Sequence, residues 1–217
     1  MDLTSLKQAC DRLRSLFDAK DQARERALPL SRAVIRNSAD AIRAVHRGQF
    51  AAAAPLLAEN RTHLAQVQEC LRPYPDIYYA GFVQDAEKEH AEAMITQALI
   101  RGQPVPGPEE LGVGEVPYLG GLGEAVGELR RHILDEVRAR HGEWSEEMLG
   151  AMDDIYYLLV SFDYPTAVVG NLKRITDVAR SIIEKTRGDL TNAVRQQRLE
   201  AAMRELQSRV EGHTESP

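Results

Sequence analysis

Residues 116–131 read VPYLGGLGEAVGELRR, and the reading of this stretch decides the fold. Pro117 suits the first turn of a helix, where its missing N–H is not needed. Glu124 and Glu128 then stand at i, i+4 and share one helical face. Between and before them lie Gly120, Gly121, Gly123, Ala125, Val126 and Gly127, so the helix surface beside the two acids is small or apolar. Each helical glycine costs about 1 kcal/mol relative to alanine. A helix that keeps four of them next to two glutamates is built for close approach of another backbone or of a ligand.

Helical spacing continues outward in both directions, and no stretch alternates apolar and polar residues over strand length. Leu6, Cys10, Leu13, Leu16 and Phe17 form one stripe, extended by Leu30, Val34, Ala41 and Val45 to a stop at Gly48. Pro29 falls inside this run, so the first helix is expected to kink there or divide in two. A second helix is expected over 52–71, ended by RPYPD, and a third over 76–100, ended by Gly102. The Pro- and Gly-rich segment 102–117 is the one clear loop. The fourth helix runs from Pro117 to about Arg140, and Ser145 caps a fifth, with Trp144 before it and Tyr156 and Tyr157 read as core. Pro165 opens a sixth helix ending at Gly188, and Asp189 caps a seventh. The expected class is all-α, with seven helices in a single domain over residues 1–209 and a polar, disordered tail over 210–217.

The third helix carries a second acidic pair within DAEKEHAEA (85–93). Glu89 and Glu92 stand at i, i+3, again on one face. Two such pairs facing each other form an oxygen-only cage, which selects Mg²⁺ or Mn²⁺ over zinc. Cations held so can activate water and neutralise a phosphodiester. The competing reading has the glutamates salt-bridged to Lys88, Arg130 or Arg131. A ferritin-like di-iron centre needs two ExxH motifs, and only Glu87–His90 supplies one.

PDIYYAGFVQDAEKEHAEA (75–93), VPYLGGLGEAVGELRR (116–131), LKRITDVARSIIEKTRGDL (172–190) and the basic ARERALPLSRAVIRNSADAIRAVHRG (23–48), in this order and spacing, resemble the translin and translin-associated factor X family in its prokaryotic form. The resemblance spans roughly residues 20–190. It implies a seven-helix translin-like bundle with a long first helix, assembled as a homo-oligomer into a closed, hollow shell that binds single-stranded RNA or DNA. It further implies the factor X activity, a Mg²⁺-dependent endoribonuclease (Mn²⁺ as substitute) cutting single-stranded RNA. Its catalytic and metal-binding acids fall on Glu89, Glu92, Glu124 and Glu128, where Glu124 replaces the Asp usual in factor X. The nucleic-acid contacts fall on Arg24, Arg26, Arg32, Arg36 and Arg43, with Tyr78 and Tyr79 as candidate base-stacking rings. The alternative within the family is a translin-like protein that binds single strands without cutting them.

Charge and composition fit this reading. The chain has 217 residues and a formal net charge of −6. Residues 1–72 carry a net +4, residues 73–163 a net −12 and residues 164–217 a net +2. A basic arm beside an acidic centre suits a protein that holds a polyanion with one part and cations with another. Cys10 and Cys70 have no CxxC spacing, which argues against a disulfide framework or a zinc–thiolate site. The first residues lack an apolar signal region, and no window approaches the roughly 20 apolar residues of a membrane span. A reducing cytoplasm is the expected location.

Overall fold

A computed structural model describes residues 3–139 and 145–214, and these residues are helical with short connections. The helices are α1 (Thr4–His46), α2 (Phe50–Leu71), α3 (Pro75–Tyr78), α4 (Phe82–Ile100), α5 (Pro108–Leu111), α6 (Glu115–Ala139), α7 (Ser145–Val160), α8 (Thr166–Val169) and α9 (Leu172–Thr214). α1 packs along α2 and α4, α4 packs against α6, and α6 packs against α7 and α9, which also meet each other.

α4 therefore divides the interior into two halves. On one side Val34, Val45, Leu64, Leu71 and Val83 fill the space between α1, α2 and α4. On the other, Ile95, Leu129, Ile133, Met152 and Leu159 form the larger core shared with α6, α7 and α9. Each such side chain contributes about 1.5–3 kcal/mol when fully buried. α6 lies unusually close to its neighbours because it lacks side chains where they cross. A Cβ on Gly121 would sit 2.7 Å from the Glu92 amide nitrogen and 2.8 Å from the Lys88 carbonyl oxygen on α4, and one on Gly123 would sit 2.1 Å from the Ile175 Cγ2 on α9.

The all-α class is as expected, while the division into helices differs. α1 runs unbroken through Pro29. That residue is exposed, so water can satisfy the carbonyl the proline leaves unpaired. The expected third helix is split into α3 and α4 at Gly81, whose φ of +107° is open only to glycine. The loop over 102–117 contains the single turn α5, anchored by buried Leu111. Pro165 precedes the single turn α8 rather than a long helix, because Gly170 at φ +62° turns the chain before α9 begins. The sixth and seventh helices are one: α9 passes through Gly188, where no atom lies within 4 Å of a built Cβ, and buried Thr186 and Leu190 hold the helix on either side. Tyr157 is 69% exposed and does not belong to the core. Trp144 and Arg140 lie outside the described residues.

Candidate carboxylate centre

The close crossing of α4 and α6 is what assembles the acids. With Gly121 against the α4 backbone, Glu124 of α6 comes level with Glu89 and Glu92 of α4. One carboxylate oxygen from each of the three lies within 4.8 Å of the others. Glu92 is 9% exposed and accepts no hydrogen bond from the described residues. Its pKa is raised to about 8, first by burial and then by the charges of Glu124, Glu89 and Glu128. Lys88 reaches in from α4, its ammonium 2.7 Å from both oxygens of Glu124 and 3.4 Å from Glu89. Burial disfavours the charged lysine, but the two carboxylates outweigh it and its pKa is raised.

Glu128 lies one turn further along α6 and is not in the three-acid group among the described residues. It accepts a hydrogen bond of 2.5 Å from Nε2 of His46, whose side chain is only 4% exposed, and Arg131 stands 3.6 Å away. The His46 hydrogen bond outweighs burial and holds the Glu128 carboxyl below its ordinary value. The salt-bridge reading thus holds for Lys88 and Arg131. Arg130 turns instead to Thr186 and Asp189 on α9.

A cleft of about 450 Å³ opens on Glu92 and Glu124, and its far wall is the first turn of α9, with Asn171, Arg174 and Ile175. Arg174 is exposed and has no salt-bridge partner. The first amides of α9 lack intrahelical acceptors, and the helix start carries a partial positive charge. The cleft thus has one acidic wall and one basic wall, a geometry suited to a cation on one side and a phosphate oxygen on the other.

The five candidate contact residues among the arginines of α1, Arg24, Arg26, Arg32, Arg36 and Arg43, are all exposed. Arg32, Arg36 and Arg43 lie on the face opposite buried Ser31, Val34, Ser38, Ala41 and Val45. Arg24 and Arg26 flank that face from either side. Arg24 pairs with Glu25 at 2.6 Å and Arg43 with Asp40, while Arg32 and Arg36 have no salt-bridge partner among the described residues. None of the five is among the cations that shift Glu92 or Glu128, which are Lys88, His46 and Arg131. Arg32, Arg36 and Arg43 lie on the side of α1 turned away from its packing partners α2 and α4. Tyr78 is committed to structure: its hydroxyl donates to buried Glu87, which also accepts from the Gly114 amide at 3.3 Å. Tyr79 is 73% exposed. The ExxH pair is internal, with Glu87 and His90 both within 1% of full burial.

His46 and Arg174 lie in blocks that carry the family resemblance, but nothing in the sequence ties either to the carboxylates. Each reaches the carboxylates across more than 45 residues of chain, so only the packing of α1 and α9 on α6 reveals them.

No family model matches the chain. It is 30% identical over 195 residues to the uncharacterized protein MJ0175 of Methanocaldococcus jannaschii, a match covering 87% of this chain and 84% of that one. Its fold superposes on the crystal structure of AfC3PO with a TM-score of 0.77 and 32% identity, covering 88% of this chain and 97% of that one. The chain belongs to the translin family. A second AfC3PO structure, in complex with duplex RNA, matches this translin-family chain with a TM-score of 0.75 and 31% identity, over 88% of this chain and 96% of that one. Apo-NeC3PO shares the fold, at 22% identity and a TM-score of 0.73, over 89% and 99% of the respective chains. Among the described residues no helix is long and apolar enough to cross a membrane.

Proposed function

We propose that this protein is a divalent-cation-dependent endoribonuclease that hydrolyses single-stranded RNA, with Glu89, Glu92, Glu124 and Glu128 as its catalytic acids. The observation that carries this reading is the convergence of Glu89, Glu92 and Glu124 beside a cleft that Glu92 and Glu124 line. Glu92 is nine-tenths buried beside two further carboxylates, an arrangement whose charge a divalent cation would offset. The donor set is all oxygen, which fits Mg²⁺ or Mn²⁺. When bound, such an ion would activate water and offset charge on the phosphodiester.

The chain's own residues supply the rest. Glu92 and Glu124 line the inner wall of the cleft, and His46 and Arg131 orient Glu128. Arg174 and the first turn of α9 face the phosphate from the other wall. Arg24, Arg26, Arg32, Arg36 and Arg43 offer a separate basic face for the strand. In a closed homo-oligomer one RNA would be able to touch this face on one subunit and the acids of another. The complex of AfC3PO with duplex RNA supports RNA as the ligand class.

The test is cleavage of a labelled single-stranded RNA with Mg²⁺ or Mn²⁺, with a blunt duplex of the same sequence as comparison. Cutting should require the cation, and E92Q or E128Q should abolish it while RNA binding is kept or strengthened. Cutting that persists in excess EDTA overturns the cation mechanism. Tight RNA binding with no cutting under any divalent cation favours the non-catalytic, translin-like alternative.

A further inference from the structure

Lys88 stands in the middle of the acids rather than at their edge. Its stem crosses α6 over Gly120, where a Cβ would come within 3.1 Å of the lysine Cγ and 3.2 Å of its Cδ. Gly120 thus leaves a groove shaped to the methylenes of one side chain. At the end of that groove the ammonium donates to both oxygens of Glu124 at 2.7 Å and lies 3.4 Å from Glu89. These are two of the three carboxylates whose oxygens gather within 4.8 Å. The third, Glu92, is nine-tenths buried and has no salt bridge.

An ammonium has three donors and a single charge. It holds two of these acids together, but it leaves the third unmatched. A divalent ion needs the same oxygens, at about 2.1 Å for Mg²⁺, and it repels the ammonium already among them. With its ammonium bonded to both oxygens of Glu124, Lys88 competes with such an ion for that carboxylate.

Resting on the cation-site reading above, we propose that Lys88 is a resident counter-cation. It occupies the carboxylate centre of the metal-free chain, and a divalent ion must displace it along the Gly120 groove. Lys88 therefore sets the cation concentration at which the centre fills. It keeps Glu89 and Glu124 gathered in the meantime, so that the empty centre does not fly apart by like-charge repulsion.

The experiment is a Mn²⁺ titration of EDTA-stripped protein, followed by the electron paramagnetic resonance of free Mn²⁺, on wild type, K88M and K88R. K88M removes the competitor and should bind Mn²⁺ at least about tenfold more tightly. In EDTA it should melt below wild type, and it should gain more than wild type does when Mn²⁺ is added. K88R keeps the charge and can bind Glu124 through two parallel hydrogen bonds, so it folds without metal and binds Mn²⁺ no more tightly than wild type. Equal or weaker binding by folded K88M overturns the proposal, as does tighter binding by K88R, which remains readable if K88M does not fold. Failure of wild type and both variants to bind Mn²⁺ would instead remove the cation centre itself, and the proposal with it.

Discussion

Gly121 offers the most direct test of how the centre is assembled. Its replacement by alanine puts a methyl group 2.7 Å from the Glu92 amide nitrogen and 2.8 Å from both the Ala91 Cβ and the Lys88 carbonyl oxygen. An ordinary contact begins at 3.4 Å, so α4 and α6 must part by about 0.7 Å, and two of the three obstructing atoms are backbone that cannot rotate away. Overpacking of this kind costs about 1–3 kcal/mol, and rigid obstruction puts it at the upper end. Alanine returns about 1 kcal/mol of helix propensity. G121A should therefore lose about 2 kcal/mol net, or about 4–8 °C in Tm for a chain of this size. G188A is the matched control, because nothing lies within 4 Å of its built Cβ in the same kind of helical setting. It should gain up to about 1 kcal/mol. Thermal melts followed by circular dichroism at one fixed protein concentration read both signs. If G121A melts with or above wild type, α6 does not cross α4 as described, and the gathering of Glu124 with Glu89 and Glu92 loses its structural basis.

Three further outcomes are expected. Glu92, at about 8, keeps its proton in the folded chain at a pH where the unfolded carboxyl, near 4.5, has released it. The folded state thus binds more protons, and in EDTA its stability should fall as pH rises toward 8, by at most about 1.4 kcal/mol per pH unit. His90, held near 4 by burial, gives an opposing slope only below 6.5, so urea unfolding of wild type and E92Q between those limits isolates Glu92, and equal slopes would refute its raised pKa. Arg32→Ala with Arg36→Ala should lower the salt dependence of single-stranded RNA binding by about one to two units in fluorescence anisotropy; an unchanged slope moves the phosphate contacts to Lys173, Arg174 and Arg180. Light scattering should give a mass well above twice 24.2 kDa, falling when Tyr157 and Leu158, 69% and 59% exposed, are both changed to Asp; a mass near that of one chain refutes the shell.

The features most legible in the sequence were those with local periodicity. The i, i+3 and i, i+4 acidic pairs and the glycines around them predicted a close crossing, because a helix fixes which residues share a face. Breaks were harder to read, since their cost depends on surroundings that the sequence does not display. Pro29 and Gly188 look like stops, yet both fall on exposed helix surface. There water or a buried neighbour one turn away compensates. Gly81 and Gly170 do end helices, because the chain must there take a positive φ. Tyr157 was misread because an apolar run in IYYLLV does not say which of its faces the fold covers. Lys88, directly before Glu89, was legible as a salt-bridge partner of the glutamates but not as the residue that bridges two of them. Its position between the acids follows from the groove over Gly120, which belongs to another helix.

The two 43-residue helices have a consequence for the economy of the surface. A compact monomer of 24.2 kDa exposes about 10,000 Å², whereas this chain exposes 13,689 Å². The excess is about 3,700 Å², and along the two long helices Leu6, Leu13 and Phe17 on one and Leu199, Met203 and Leu206 on the other stay open to water. A standard protein interface takes about 800 Å² from each partner. The surplus equals more than four such faces. A lone chain would keep those apolar side chains wet at a free-energy disadvantage, so the two long helices offer area that association would cover, with the carboxylate centre on the packed body and the open apolar area on its two long levers.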